Sequence, residues 1–294
     1  MNFLQRLSDI KGLPTLPKIA LRIREIIASD TGNASILARI IEQDPSIASN
    51  ILKVANSTFY STSGNKITSI KLAITRIGFN EIGHIAMAVS LIKNFSSKSN
   101  VLDYKYFWKH SLATGFLTSN IYESVDFSFA NRHSLFLAGL FHDIGILVLD
   151  QFFHDEFERI IELALKEEIS YLEAEKIIIP TENHAVLGSA LLEFWNLDLA
   201  IISAIRYHHN PEKAPDSFRS IASAAYLAEY ILCNSCLGSF EGQISNGNKK
   251  ALQYLKLTPD NIDNYLRLAE YEVERSDLVL TLESQNSTFQ LRAV

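Results

Sequence analysis

The 294-residue chain is 47% hydrophobic and 20% charged, with 12 Gly, 7 Pro and a net charge of -6 at pH 7. That length and apolar content suit a large packed core divided between two lobes and exclude long disordered tracts, while the acidic balance disfavours a nucleic-acid-binding surface, which rests on clustered Lys and Arg. Arg6 and Asp9 interrupt the first ten residues, and charges break every later apolar stretch before membrane-spanning length. Neither a signal peptide nor membrane insertion is therefore expected, and the expected location is the cytoplasm.

Apolar residues recur at spacings of three and four, and no alternating strand pattern occurs, which predicts an all-α fold. The first stripe, Leu16, Ile19, Ile23, Ile26 and Ile27, follows the Pro14 to Pro17 turn and stops at the polar cluster Asp30 to Asn33. Ile36, Leu37, Ile40 and Ile41 mark a second helix. Asp44-Pro45 joins a capping side chain to a proline suited to the first helical turn, and so launches a third through Ile47, Ile51 and Ala55. After a loop over 56–65, Thr68-Ser69 caps a helix that ends at Gly78, and Asn80 is expected to cap the next, which carries Ile82, Ile85, Val89 and Ile92.

The polar run 96–100 is the expected lobe boundary. Beyond it, one helix is predicted from Tyr104 to Tyr122, and another from Asn131 to Phe153 that contains the adjacent pair His142-Asp143 in an otherwise apolar run. A charged amphipathic helix spans 155–168. Ser170 and Glu173 have the spacing of a capping box, Pro180 precedes a helix with His184, and Asp198 is expected to cap Leu199 to Tyr207. A helix from Asp216 or Ser217 through Cys233, a linker over 238–248 and a final helix from Asp260 to about Leu280 complete the chain. Cys233 and Cys236 form a solitary C-x-x-C with no second pair, read as two small helix residues.

The His142-Asp143 pair is the most informative feature, because burying a carboxylate and an imidazole side by side demands a compensating charge, hydrogen bonds or a metal ion. His110, His184, His208 and His209 could supply such partners from separate helical segments. Nitrogen and carboxylate ligands of this kind suit iron, manganese, zinc or nickel. Taken singly, each histidine has an ordinary reading as a hydrogen-bonded core or surface imidazole. The bland reading of the pair itself is an aspartate orienting an imidazole toward another helix. His133 and His154, near helix ends, are assigned no role.

The joint pattern of Gly139-Leu140-Phe141-His142-Asp143-Ile144-Gly145, His184-Ala185-x-x-Gly188 and Arg206-Tyr207-His208-His209 resembles the HD superfamily of metal-dependent phosphohydrolases. Leu13-Pro14-Thr15-Leu16-Pro17-Lys18, Ile41-Glu42-Gln43-Asp44-Pro45, Lys53-Val54-Ala55-Asn56-Ser57 and Ile77-Gly78-Phe79 are similar to the amino-terminal signature of the HDOD family, the HD-related output domains of bacterial signalling systems. The resemblance covers roughly residues 10–235. It implies a multi-helical HD-like bundle with an amino-terminal lobe of short helices, divided into a lobe over 1–97, a core over 98–235 and a helical extension over 236–294. It also implies metal ligands at His110, His142, Asp143, His184, His208 and His209, holding one or two transition-metal ions.

Two positions depart from the hydrolytic pattern. The superfamily's last ligand, an aspartate, falls at Ala225, and a lysine common in hydrolytic relatives falls at Ile146. The Gly-Tyr-Pro motif of cyclic-di-GMP phosphodiesterases is absent as well. The resemblance therefore implies a signalling output or adaptor module that acts through protein partners or a sensed nucleotide or cyclic dinucleotide, with no catalytic residue assigned. A two-metal phosphohydrolase is the alternative. No receiver, kinase or cyclase segment is recognised in the chain. A helix-turn-helix DNA-binding role around 69–95 is disfavoured, because Lys66, Lys71 and Arg76 are scattered.

Overall fold

The computed structural model describes residues 3–10, 12–29, 31–60, 66–93, 95, 101–125, 133–234 and 249–287. Among these, sixteen α-helices and two short 3-10 segments make up the regular structure and no strand occurs, as the apolar spacing predicts. Two compact units are present, one comprising 1–13 with 97–273, the other 14–96 with 274–294. The expected linkers over 96–100 and 238–248, and Cys236, lie outside the described residues.

Helix α1 (Phe3–Asp9) belongs to the larger unit. The smaller unit is built from α2 (Lys18–Ala28), α3 (Ala34–Ile41), α4 (Pro45–Ala55), α5 (Ile70–Ile77) and α6 (Phe79–Ile92). Its starts follow local chemistry: Asn33 accepts from the amides of Ser35 and Ile36, Asp44 from those of Ser46 and Ile47, and Ser69 from Leu72. Asn80 does not cap α6. Gly78, at φ 112°, turns the chain directly from α5 into α6, so Asn80 falls inside the helix.

Asn56 closes α4 in another way. Its side-chain amide donates to the carbonyls of Leu52 at 2.7 Å and Ile67 at 2.8 Å, while its Oδ1 accepts from the Ile67 amide at 2.7 Å. One side chain thereby ties the end of α4 to the segment that leads into α5.

The larger unit holds α7 (Tyr104–Glu123), α8 (His133–Phe141), α9 (Ile144–Phe152), α10 (His154–Glu167), α11 (Tyr171–Ile178), α12 (His184–Phe194), α13 (Leu199–Tyr207), α14 (Arg219–Asn234) and α15 (Lys249–Tyr254). The last helix, α16 (Asp260–Ser287), belongs to this unit up to Val273 and to the smaller unit from Glu274, where Arg275 pairs with Glu81. The Ser170–Glu173 capping box is present, and Asn183 caps α12. Asp198 precedes α13 without a side-chain cap bond, and a 3-10 turn over Asp216–Phe218 precedes α14. Helices α1 and α15 have no counterpart in the periodicity reading, both being under eight residues.

The expected single helix from Asn131 to Phe153 is two helices with a 41° bend between Ser134–Phe141 and Ile144–Phe152. Residues 134–150 are all buried, so apolar periodicity runs unbroken through the bend and hides it. No single helix among the described residues is long and apolar enough to cross a membrane.

Glycines set the closest helix contacts. A Cβ on Gly145 would lie 1.9 Å from the His184 carbonyl oxygen and 2.8 Å from the Gly188 amide nitrogen, so α9 crosses the start of α12 backbone to backbone. A Cβ on Gly139 would lie 2.4 Å from the Thr114 carbonyl oxygen, which brings α8 equally close to α7.

Gly145→Ala is expected to destabilise the protein by about 3 kcal/mol, since the three atoms nearest the added methyl are all backbone. Thermal denaturation measures it, and a change below about 1 kcal/mol would contradict the close crossing. Asn56→Ala should cost roughly 2–3 kcal/mol by removing three buried or half-buried hydrogen bonds, read from the shift in urea midpoint.

Candidate metal centre

His142 and Asp143 occupy the bend between α8 and α9. Asp143 has φ -100° and ψ 10°, between helical turns, and its carboxylate makes no capping bond to α9. Three other elements deliver histidines to this bend: α7 carries His110, His184 opens α12, and His208 and His209 follow the end of α13. All six residues expected as ligands are brought together.

The ligand atoms form two sets that share Asp143: Asp143, His184, His208 and His209, and His110, His142 and Asp143. In the first, Asp143 Oδ1 lies 3.4 Å from His184 Nε2 and 3.7 Å from His208 Nε2. His184 Nε2 lies 2.9 Å from His209 Nε2 and 3.4 Å from His208 Nε2. In the second, Asp143 Oδ2 lies 3.0 Å from His142 Nε2 and 3.9 Å from His110 Nε2, and the two imidazole nitrogens are 3.1 Å apart. His110, His142, Asp143, His184 and His208 are no more than 2% exposed, and the His209 side chain is 13% exposed.

The opposite edges of three rings determine what these nitrogens can do. His142 Nδ1 donates to the Gly139 carbonyl at 2.7 Å, His208 Nδ1 to the Ile205 carbonyl at 2.5 Å, and His184 Nδ1 to Glu175 Oε2 at 2.8 Å. Carbonyls and carboxylates only accept, so each Nδ1 carries the proton and each Nε2 of a neutral ring presents a lone pair. Lone pairs facing one another at these distances repel unless a cation or an added proton stands between them. Metal–nitrogen bonds of about 2.0–2.1 Å place neighbouring ligand atoms about 3.0 Å apart at right angles and about 3.4 Å apart in a tetrahedron. The donor set, its spacing and its Nδ1 partners all fit a first-row divalent ion.

Without a cation, protons must fill that role. Burial alone would raise Asp143, but His142 beside it, with His184 and His208 close to its other oxygen, holds its carboxyl well below the usual range. Burial works to lower His142, yet Asp143 outweighs it and the imidazole is raised. His184 is opposed by burial in the same way and is raised to about 10 by the charges of Glu175 and Asp143. Burial, with the neighbouring imidazoles, lowers His208 to about 4 and His209 well below its ordinary value.

Two carboxylates here are absent from the sequence reading. Glu175, in α11, accepts both the His184 backbone amide at 2.7 Å and its Nδ1. Glu229, in α14, is 1% exposed and lies with Oε2 3.7 Å from His209 Nδ1; burial and the Asp143 charge raise it to about 8. The capping box at Ser170–Glu173 places Glu175 on a short helix but does not say that it turns inward. His154 lies apart from the cluster, against Asp150 and Glu158. Cys233 is a free thiol, raised chiefly by burial.

The profile of the HDOD domain matches residues 13–211. An HDOD domain protein of unknown function from Geobacter sulfurreducens is 26% identical, with a TM-score of 0.72 over 98% of this chain and 95% of its own. A provisionally described signal transduction protein from Marinobacter aquaeolei VT8 is 20% identical with a TM-score of 0.76, covering 97% of this chain and 65% of its own. An uncharacterized protein of Treponema pallidum is 24% identical over 223 residues, 76% of this chain but 42% of that protein. The chain thus spans less than half the length of that relative.

The protonation pattern gives the cation-free fold a definite pH response. His142, His184 and Glu229 bind protons more tightly folded than unfolded, so their contributions are complete at low pH and decline as pH rises. For His184 the decline runs from 6.5 to about 10, and for Glu229 from 4.5 to about 8. His208 and His209 act oppositely, losing stability as pH falls below 6.5. Chelator-treated protein should therefore show a Tm that falls between about pH 6.5 and pH 8, and added Zn2+ or Mn2+ should raise Tm more at pH 8 than at pH 6.5, because cation uptake displaces those protons. Circular dichroism melts check both, and a Tm rising across this window contradicts the pattern.

Proposed function

Since the HDOD profile matches more than half of its length, the chain belongs to the HDOD family, and from that premise we propose that it is a signal-transduction output or adaptor module built around a buried metal centre, acting through protein partners or a sensed ligand without catalysis. One observation carries the reading: the candidate ligands converge, while the two positions where the resemblance expects a further anionic ligand and a phosphate-binding cation are apolar. His110, His142, Asp143, His184 and His208 are buried, and Ala225 and Ile146, where the resemblance expects an aspartate and a lysine, are fully buried apolar side chains.

Phosphoester hydrolysis requires an activated water in line with phosphorus and cationic groups for the charge that develops on the phosphoryl oxygens. Neither Ala225 nor Ile146 can contribute to this. What the residues can do is hold a cation through Asp143, His184, His208 and His209, or through His110, His142 and Asp143, with Gly139, Glu175 and Ile205 fixing three of the imidazole rings. A bound ion would supply positive charge to a buried anion and link four helical segments. Occupancy by iron, manganese, zinc or nickel, or by a nucleotide or cyclic dinucleotide elsewhere on the domain, is then a means of altering the surfaces that partners meet.

A second reading rests on a different observation. The two oxygens of Asp143 face separate histidine groups, the arrangement of a carboxylate bridging two metal ions. On this reading the chain is a phosphohydrolase of nucleotides or cyclic dinucleotides.

Protein purified without chelators is expected to carry about half an equivalent or more of transition metal by elemental analysis, and Asp143→Ala to lose it. Across nucleotides, cyclic dinucleotides and p-nitrophenyl phosphoesters, no turnover above that of Asp143→Ala is expected. Turnover abolished by Asp143→Ala would establish the phosphohydrolase reading instead.

A further inference from the structure

The resemblance places a metal-ligating aspartate at Ala225, and that residue is a fully buried alanine. The same helix carries a carboxylate one turn further along. Residues four apart stack on one side of an α-helix, so Glu229 shares the face of Ala225. It is 1% exposed, and its Oε2 lies 3.7 Å from His209 Nδ1.

The other edge of the same ring faces the centre, with His209 Nε2 2.9 Å from His184 Nε2. His184 is itself backed at Nδ1 by Glu175 at 2.8 Å. Both imidazoles face a buried carboxylate at Nδ1, His184 within hydrogen-bond distance and His209 at the longer ion-pair distance of 3.7 Å, and their Nε2 atoms come together within the group that also contains His208 and Asp143. A carboxylate behind a ligating imidazole fixes its tautomer and orientation and raises its basicity. Glu229 meets the far edge of the His209 ring, at Nδ1, while the candidate ligand atoms of Asp143, His184, His208 and His209 converge on its other side, which assigns Glu229 the role behind His209.

We propose that Glu229 supplies, from one turn beyond Ala225, the anionic charge that the centre lacks at that position, acting as a positioning residue that holds His209 through Nδ1 so that its Nε2 binds a divalent first-row cation together with His184, His208 and Asp143. The proposal rests on the metal-holding reading above. A dipositive ion amid these neutral imidazoles offsets the mutual repulsion of the Asp143 and Glu229 carboxylates, so the relocated charge strengthens binding without contacting the ion.

The test is titration of the chelator-treated full chain with Co2+, whose visible ligand-field absorption reports both affinity and ligand set, together with the Tm of the cation-free protein. Glu229→Gln keeps the side chain's size and removes its charge. It should weaken Co2+ binding about ten- to a hundredfold and alter the absorption band. Glu229→Asp keeps the charge and should bind more tightly than Glu229→Gln, a rescue that decides the matter if Glu229→Gln does not fold. Equal affinity in wild type and Glu229→Gln, or Glu229→Asp binding no better than Glu229→Gln, overturns the role of Glu229. If wild type binds while Asp143→Ala and His208→Ala do not, the metal-holding reading survives that failure. Wild type that takes up no Co2+ overturns both.

Discussion

The Asp143 carboxylate is the constraint on which the larger unit depends. It is fully buried and held in its charged form, so the surrounding helices must supply positive charge, whether as protons on imidazoles or as a metal ion. Much of the local architecture serves that need. The chain breaks between α8 and α9 where the pair sits, and glycines on α9 and α12 let the two backbones touch so that His184 reaches Oδ1. The Nδ1 edges of three rings are occupied by acceptors, which turns their Nε2 edges toward the carboxylate.

A centre of this kind couples cation binding to packing. The candidate ligands come from α7, the α8–α9 bend, α12 and the turn after α13, in two groups that share Asp143, so cations that relieved the lone-pair repulsion would strengthen the contacts of these segments through that one carboxylate. The same coupling suits a module that changes its surfaces when occupied. It is less suited to turnover, where a substrate phosphate and a water must reach the ion and leave it again. Fully buried apolar side chains at Ile146 and Ala225 accord with the first use.

The amino-terminal signature has a structural explanation independent of any ligand. Asp44 caps α4 while Pro45 occupies its first turn, Asn56 ties the end of α4 to Ile67, and Gly78 supplies the positive φ that turns α5 into α6. Motifs that identify the family in the smaller unit are thus the chemistry of starting and stopping short helices. Those of the larger unit combine the candidate ligands with the glycines at which their helices meet.

The sequence by itself determined the all-α class and most helix starts, because capping and apolar periodicity are properties of neighbouring residues, and its resemblance to the HD superfamily singled out all six candidate ligands. Only the tertiary structure decided that the apolar run through His142-Asp143 is bent and not continuous, since a segment buried on every side keeps its apolar pattern whether or not the helix continues. It also decided that Glu175 and Glu229 stand behind His184 and His209. On α11 and α14 each reads as one more glutamate, and whether a carboxylate faces water or an imidazole depends on which distant helix lies against it.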